Sequence, residues 1–354
     1  MTVPVHGGRI IEMEQDGKKL LDLSASINPW GPPPVLHQNW ETLFRYVSVY
    51  PPLDWSYYQR DLSRLSGFPP ENILPCHGAT QGIYLLARYL PGQEVVILEP
   101  CFTEYARAFH EAGKTIGHFL CLEPVDWNAL FDFLKKNKPD ILVLGNPGNP
   151  LGMSYPEPVI KALEEWCHSE NIVLIIDEAF QEFIQDQTSV ARETIKREGV
   201  FVVRSLTKYY ALAGLRGGFL LGTETAIDRF LAFLEPWSIN AILAAALHLL
   251  AQSDLSLFHA ETRKNLLGEK KVIEEAFCAV PGSFLLFPSL VNYYTIHLIG
   301  NPEPWYAHLE NQGIVVRSLA DFWGLTRQFF RFAVRNHEEN ARFIEVVRRY
   351  VENT

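Results

Sequence analysis

The chain has 354 residues, of which 31 are Lys or Arg and 41 are Asp or Glu, so its formal net charge is −10. Hydrophobic residues make up 47% and charged residues 20%, a balance typical of globular proteins, which excludes a disordered chain, a collagen-like repeat and a long coiled coil. At about 150 residues per domain the length predicts two domains, and the acidic balance predicts no general attraction to nucleic acid or to an anionic membrane.

The five cysteines are odd in number and none lie at Cys-x-x-Cys spacing, so neither a disulfide framework nor a metal site is predicted. We expect free thiols in a reducing compartment. The first 21 residues carry charged side chains without an apolar core, unlike a signal peptide. The longest apolar stretch, residues 239–251, is too short to cross a bilayer. These observations predict a cytoplasmic protein.

In chain order, the first feature is a segment rich in proline and glycine at residues 28–34, which predicts an extended arm or loop because proline fixes φ and lacks an N–H donor. From residue 78 onward, short apolar runs alternate with segments of helical periodicity. The runs are continuous, as is typical of strands buried on both faces of a helix-covered parallel sheet. The apolar runs cover residues 94–98, 141–144, 172–176, 201–203 and 218–221, and the helical segments cover 126–137 and 156–170.

This alternation predicts an α/β fold with a mostly parallel sheet, whose loops at the strand ends are available for ligands. The later part of the chain predicts a smaller α+β domain, with a helical stretch over 241–271, strands near 284–287, 293–298, 314–316 and 329–334, and a final helix over 338–351. We therefore expect an N-terminal arm (residues 1–45) that packs with the small domain, a large domain (46–237) and a small domain (238–354).

The most unusual motif is Ser205-Leu206-Thr207-Lys208, in which a lysine closely follows a buried strand. Neighbouring cations and burial would lower its pKa and make it a nucleophile toward a carbonyl. Ser205 and Arg216 could bind a phosphate through a hydroxyl and a bidentate guanidinium. Taken alone, the lysine could equally be a surface residue at a strand end.

Three further motifs occupy a strand end or a helix start. Asp177 follows the run 172–176, so its carboxylate could pair with a protonated heterocyclic nitrogen, or it could cap a helix. Asn149 lies in a Gly/Pro-rich loop, residues 145–152, and could donate to a phenolate-type oxygen, or belong to a plain turn. The small residues of 77–82 begin a helix and would expose backbone N–H groups to a phosphate.

Together, in this order and spacing, the four motifs resemble those of the fold-type I pyridoxal-phosphate enzymes of the class I/II aminotransferase group. The resemblance runs from residue 5 to about residue 334. It implies pyridoxal 5′-phosphate as the cofactor, with Lys208 as the Schiff-base lysine and Asp177 as the partner of the pyridine nitrogen. It also implies cofactor contacts from Asn149 at the ring 3′-oxygen, from Phe102 stacked on the ring, and from Gly78, Ala79, Thr80, Ser205 and Arg216 at the phosphate.

The same resemblance implies a homodimer, because Tyr50 is similar to the tyrosine that reaches the phosphate of the partner subunit's cofactor. Arg331, between two phenylalanines, is similar to the arginine that binds a substrate anion. One position departs from the group, since Phe180 stands where many aminotransferases have a tyrosine near the 3′-oxygen. This departure leaves Asn149 as the main donor to that oxygen and weakens the prediction of simple transamination.

The arm and the stretch 235–241 resemble the threonine-phosphate decarboxylases of cobalamin biosynthesis, which are close relatives of histidinol-phosphate aminotransferases. This implies conversion of L-threonine O-3-phosphate to (R)-1-amino-2-propanol O-2-phosphate and CO2. A histidinol-phosphate aminotransferase or a related aminotransferase is the alternative, and a non-catalytic cofactor sensor is a third hypothesis. The arm residues that become candidates for substrate binding are His6, Asn28 and Gly31.

Arg317 and Arg331 lie on predicted neighbouring strands, and two guanidiniums suit a substrate that carries both a phosphate and a carboxylate. The sequence leaves open which arginine binds which anion. Arg335 shares a strand face with Arg331 and is either a third anion-binding group or a solvated surface residue. His6 either contacts the substrate phosphate or belongs to a disordered terminus.

Overall fold

The computed structural model of the chain describes residues 6–8, 20–184, 189–280 and 282–353. Within them the strands, in chain order, are β1 (Leu21–Asp22), β2 (Ile73–His77), β3 (Glu94–Glu99), β4 (Thr115–Leu120), β5 (Ile141–Gly145), β6 (Val173–Asp177), β7 (Val200–Ser205), β8 (Gly217–Leu221), β9 (Phe284–Leu286), β10 (Tyr293–Leu298), β11 (Ile314–Val315), β12 (Arg317–Ser318) and β13 (Phe329–Ala333). The α-helices cover Pro34–Gln38, Trp40–Phe44, Trp55–Ser66, Gly78–Tyr89, Glu104–Glu111, Trp127–Asn137, Glu157–Glu170, Ala191–Thr194, Glu224–Leu231, Ala241–Gln252, Ser256–Cys278, Pro302–Asn311 and His337–Glu352.

The central sheet has seven strands in the order β2-β8-β7-β6-β5-β3-β4. Strands β7, β6, β5, β3 and β4 are parallel, whereas β8 is antiparallel to both of its neighbours, so β2 runs in the same direction as β7. The carboxyl ends of six strands therefore meet at one edge of the sheet. The amino end of β8 lies at that same edge.

Helices cover both faces of this sheet, which explains the continuous apolar runs. In β5, Ile141 and Val143 pack into one hydrophobic core, and Leu142 and Leu144 pack into the other. All four side chains are fully buried. Each contributes about 1.5–3 kcal/mol of transfer free energy, so a two-sided core leaves no position in the strand for a polar residue.

A second, smaller sheet is antiparallel, with the order β12-β13-β10-β9. Beside it, β1 pairs in parallel with β11, and the backbone N–H of Ala333 donates to the carbonyl of Leu23 at 2.8 Å. The segment around β1 is thus joined by hydrogen bonds to the later part of the chain. The predicted fold class, a mostly parallel helix-covered sheet with a smaller α+β unit, is confirmed, while the domain boundaries stay predictions.

Two strands of the central sheet, β2 and β4, were absent from the predicted set. Both are edge strands. No side chain of β4 is fully buried, so β4 lacks a continuous apolar run. Strand β2 is buried on both faces, but Pro75, which is tolerated at an edge, interrupts its apolar run. The predicted helical stretch over 241–271 is two helices bent by 96° at residues 253–255. The second of these helices begins beside Asp254, whose Oδ1 accepts a hydrogen bond from the backbone N–H of Ser256 at 2.9 Å.

No single helix within the described residues is long and apolar enough to cross a membrane, although the bent pair of residues 241–252 and 256–278 meets those two criteria together. All five cysteines are free thiols, as predicted, and four of them are buried.

Candidate active site

Residues from four separate segments meet at the carboxyl edge of the central sheet. Strand β6 ends at Asp177, β7 ends at Ser205, the loop with Asn149 follows β5, and Arg216 directly precedes β8. They border a cavity of about 440 Å³. The predicted site residues that line it are His6, Ala79, Thr80, Phe102, Asn149, Asp177, Phe180, Ser205, Lys208, Arg216, Arg317 and Arg331.

Lys208 projects into this cavity from the segment that follows β7. Removal from bulk water lowers its pKa to about 8, with the charges of Arg331 and Arg216 acting in the same direction and Asp177 opposing them. An amine with this pKa is partly neutral near neutral pH, and the neutral amine is the form that attacks a carbonyl. The buried position and the lowered pKa of Lys208 therefore fit the predicted role of a nucleophile, which stays a prediction.

Asp177 ends β6 and is buried. Burial raises its pKa to about 6, although the backbone N–H of Ala179, which donates to Oδ1 at 2.8 Å, and the positive charge of Lys208 favour the anion. A buried carboxylate of this kind is stabilised by a cation placed in the cavity. It fits the protonated ring nitrogen of the predicted cofactor.

The start of helix Gly78–Tyr89 forms a concave wall because two of the residues there, Gly78 and Gly218, are glycines and carry no side chain. A Cβ on Gly78, whose φ is +77°, would lie 2.8 Å from Nη2 of Arg216. A Cβ on Gly218 would lie 2.4 Å from the backbone nitrogen of Ala79. The wall thus presents backbone N–H groups, a guanidinium and the Ser205 hydroxyl without intervening atoms, a set of donors that fits a phosphate.

Two aromatic side chains flank the same space. Phe102 lies on one side, with its ring centroid 5.9 Å from that of His6. Phe180 is buried, and its ring meets the Tyr293 ring edge-on at a centroid distance of 4.9 Å. The cavity therefore offers apolar surface for a planar ring between groups that bind its polar ends.

Arg317 and Arg331 lie directly opposite each other on β12 and β13, and both are buried. Arg331 donates to the side-chain oxygen of Asn149 and, through Nη2, to the carbonyl of Ser24 at 3.2 Å. Its Cζ lies 4.9 Å from the centre of the Tyr293 ring, the range of a cation–π contact. Burial lowers the pKa of Arg331 to about 10, so the side chain stays cationic at neutral pH.

Arg317 has an acidic neighbour. Its Nη2 donates to Oδ2 of Asp321 at 2.7 Å, and its Cζ lies 5.3 Å from the centre of the Phe322 ring. Arg335 instead donates to Oε1 of Glu339 at 3.1 Å and does not line the cavity. Of the three arginines predicted as candidates for binding the substrate, the structure thus brings Arg317 and Arg331 together.

His6 stands at the cavity mouth. Its Nε2 lies 2.8 Å from Oε1 of Glu104, whose other oxygen accepts from the Tyr84 hydroxyl at 2.8 Å. The contact with His6 is the largest influence that lowers the pKa of Glu104. A buried, anionic Glu104 therefore fixes the histidine beside Phe102.

Four predicted site residues do not line the cavity. Gly78 lies beside it against Arg216, as described above. Asn28 is buried and donates through its backbone N–H to the carbonyl of Lys208 at 2.9 Å and through Nδ2 to the carbonyl of Tyr209 at 2.9 Å. It holds the backbone of the lysine segment.

Gly31 and Tyr50 are the other two residues that do not line the cavity. Gly31 has a φ of +83°, which L side chains rarely adopt, and its N–H donates to the carbonyl of Asn28 at 3.3 Å. Tyr50 is 79% exposed, with its ring 5.1 Å from that of Trp237.

Sequence reasoning missed Tyr293 and Glu104. The signal for Tyr293 is its place in a predicted strand, residues 293–298. In that strand it shares a face with Thr295, and the structure pairs Thr295 with Arg331. Glu104 carries no local signal, because its partner His6 is 98 positions away.

Residues 18–347 match the family described as aminotransferase class I and II. The chain is 31% identical over 350 residues to the threonine-phosphate decarboxylase of Salmonella typhimurium, covering 97% of this chain and 95% of that protein. It is 30% identical to the adenosylcobalamin biosynthesis bifunctional protein of Leptospira interrogans, covering 98% of this chain and 41% of that longer protein. Among solved structures, the histidinol-phosphate aminotransferase of Clostridium acetobutylicum superposes with a TM-score of 0.86 at 24% identity, over 95% of this chain and 100% of that one.

Proposed function

The chain belongs to the class I and II aminotransferase family, and on that premise we propose that it is a pyridoxal-phosphate-dependent decarboxylase of L-threonine O-3-phosphate. Its products are CO2 and (R)-1-amino-2-propanol O-2-phosphate, an intermediate for cobalamin biosynthesis. The observation that carries the proposal is the pair Arg317 and Arg331, directly opposite each other in the cavity of Lys208. Two adjacent guanidiniums suit a substrate with two anionic groups.

The residues present fit the cofactor. Lys208 would hold it covalently, and Asp177 would pair with its ring nitrogen. Asn149 would donate to its ring oxygen. The wall formed by Ser205, Arg216 and the backbone of Gly78 and Ala79, together with Thr80, would bind its phosphate.

Pyridoxal phosphate, when bound, supplies an electron sink that stabilises negative charge on the substrate's α-carbon. Arg317 and Arg331 would hold the phosphate and the carboxylate and so fix the orientation of the bonds at that carbon. Lys208, with a pKa of about 8, can then deliver a proton from Nζ to the α-carbon after the carboxylate has left as CO2. Because the choice between losing CO2 and losing the α-hydrogen is one of orientation, the anion-binding residues decide the reaction.

Product analysis tests this proposal. Purified protein loaded with pyridoxal phosphate is incubated with L-threonine O-3-phosphate, with and without 2-oxoglutarate, and CO2 and the phosphorylated amine are measured. We expect both products without the keto acid, and none from Lys208→Ala. Turnover that requires the keto acid would instead establish the aminotransferase alternative.

We also propose that the protein acts as a homodimer. Large apolar side chains are exposed together on residues 40–50 and on Trp237, which contacts Tyr50; among them, Phe44 is 62% exposed and Tyr50 is 79% exposed. Apolar patches of this kind mark interfaces, and a second copy would cover this one. Light scattering should give twice the chain mass. Tyr50→Phe should weaken cofactor retention, whereas Tyr46→Phe in the same segment should not. A monomeric holoenzyme would contradict this part of the proposal.

A further inference from the structure

Two hydroxyl groups of the small sheet hold the loop that carries Asn149. Tyr293 and Thr295 lie two residues apart on β10, so they share one face of the strand. The Tyr293 hydroxyl donates to the carbonyl of Gly148 at 2.9 Å, and the Thr295 hydroxyl donates to the carbonyl of Pro150 at 2.6 Å. Both side chains are fully buried. The residues on either side of Asn149 are thus tied to the small sheet.

A third donor on the same face fixes the amide itself. Arg331, which lies on β13 directly opposite Thr295 of β10, donates to Oδ1 of Asn149. Because Oδ1 is the acceptor in this contact, Nδ2 is the group left to donate into the cavity. No hydrogen bond from Nδ2 to another described residue competes with that role.

The position of this one donor matters more here because of Phe180. A phenylalanine has no hydroxyl to donate to the cofactor's ring oxygen, and its ring packs edge-on against Tyr293. Asn149 is then the main donor to that oxygen. A hydrogen bond weakens steeply when its angle or distance changes, so a small movement of the loop removes most of the interaction.

We infer that Tyr293 and Thr295 are positioning residues, which hold the loop of residues 148–150 so that Nδ2 of Asn149 reaches the ring oxygen of the cofactor. The inference rests on the proposed cofactor and goes beyond the proposed reaction. If it holds, residues of the small sheet control the hydrogen bond to the ring oxygen of a cofactor bound at the carboxyl edge of the central sheet.

The test uses the pH at which the visible absorbance band of the bound cofactor changes. A donor to an anionic oxygen favours the deprotonated state, so weakening that donor raises the pKa. For the holoenzymes Tyr293→Phe and Thr295→Val we expect this spectroscopic pKa to rise by about 0.5 to 1 unit. Thr295→Ser keeps the hydroxyl and should restore the wild-type value.

The matched control is Tyr294→Phe, the same chemical change on the adjacent residue of β10. Its hydroxyl donates to Glu274, on the opposite face of the strand. This variant should titrate like the wild type, and combining Thr295→Val with Asn149→Ala should give no larger shift than Asn149→Ala alone. If Tyr293→Phe does not fold, the comparison of Thr295→Val with Thr295→Ser tests the inference alone.

The inference would be overturned if Thr295→Val had the same spectroscopic pKa as the wild type, or if Tyr294→Phe shifted that pKa as much as Thr295→Val. Either result would leave the proposed reaction intact. A reconstituted wild-type protein without any visible band would instead contradict the proposed cofactor and this inference together.

Discussion

The guanidinium of Arg331 and the side-chain amide of Asn149, 182 positions apart in the chain, are joined by a hydrogen bond. The same guanidinium donates to the carbonyl of Ser24 and faces the ring of Tyr293. Arg331 therefore connects the arm, the small sheet and the loop after β5 at the point where substrate and cofactor would meet. Its planar, forked shape is what allows these contacts at once.

Replacing Arg331 by lysine tests that shape. Lys keeps the charge but not the fork, so it loses at least one charge-assisted hydrogen bond. We expect kcat/KM to fall about 10- to 100-fold. Arg335→Lys, on the same segment but paired with Glu339 outside the cavity lining, should change it less than about threefold. Equal losses in the two variants, measured by steady-state kinetics, would argue against this role of Arg331.

Cofactor uptake should follow the ionisation of Lys208. Because only the neutral amine is a nucleophile, the rate at which apoprotein acquires the visible band should rise with pH and reach half its maximum near pH 8, the lowered pKa of Lys208. Stopped-flow absorbance across pH 6–10 measures this rate. An unperturbed lysine would give a midpoint above pH 10, and Lys208→Ala should give no band that borohydride can fix.

Asp177→Asn should separate stability from function. Burial raises the pKa of Asp177 from 3.8 to about 6, so its ionisation destabilises the folded apoprotein as the pH rises through that window. Apo Asp177→Asn should therefore be more stable than the wild type at pH 8, by about 1–3 kcal/mol, and the difference should vanish below pH 4. Thermal unfolding at both pH values measures this difference. The same variant should lose most activity, because a neutral amide cannot pair with a protonated ring nitrogen.

Arg204 should matter for stability alone. It donates to Glu178, which is fully buried, and to Glu182, both at 2.7 Å. Arg204→Met leaves a buried carboxylate without its opposite charge, at a cost of about 3–5 kcal/mol in the free energy of unfolding. Protonation of Glu178 relieves that cost, so the loss should be smaller at pH 5 than at pH 8. Denaturant titration measures it.

A surface ion pair gives the comparison for that variant. Arg349→Met breaks the exposed contact with Glu345 on the final helix and should cost less than about 1 kcal/mol. If the two substitutions had the same effect, the buried pair would not have the stabilising role that we assign to it.

The central strands could be predicted from the sequence because burial on both faces leaves a continuous apolar run, as in β5 and β6. The same reasoning failed for β2, because Pro75 interrupts its buried apolar run, and for β4, because no side chain of that strand is fully buried. The motifs of the candidate site were visible because strand ends fix where Asp177 and Lys208 lie. Their positions relative to one another follow from the parallel sheet.

The supports of the site were not predictable in the same way. Tyr293 contacts Gly148, which lies 145 positions away in the chain, and Glu104 contacts His6, which belongs to the arm. Such contacts depend on how the small sheet docks on the central one, and no local pattern records that docking. Asn28 shows the converse, since its place in a recognisable arm segment suggested a substrate contact while its hydrogen bonds go to the backbone at Lys208 and Tyr209.

The reversed direction of β8 has a consequence for any redesign of this fold. Its five residues span about 17 Å at the usual antiparallel rise of about 3.4 Å per residue. If β8 ran parallel to its neighbours, Arg216 would enter the sheet at the far edge, too distant to contact Gly78 or a ligand beside Lys208. The antiparallel direction of β8 within the central sheet is thus the part of the topology that places the Arg216 guanidinium beside Gly78, and a redesign that inverted this strand alone would remove that cation from the cavity.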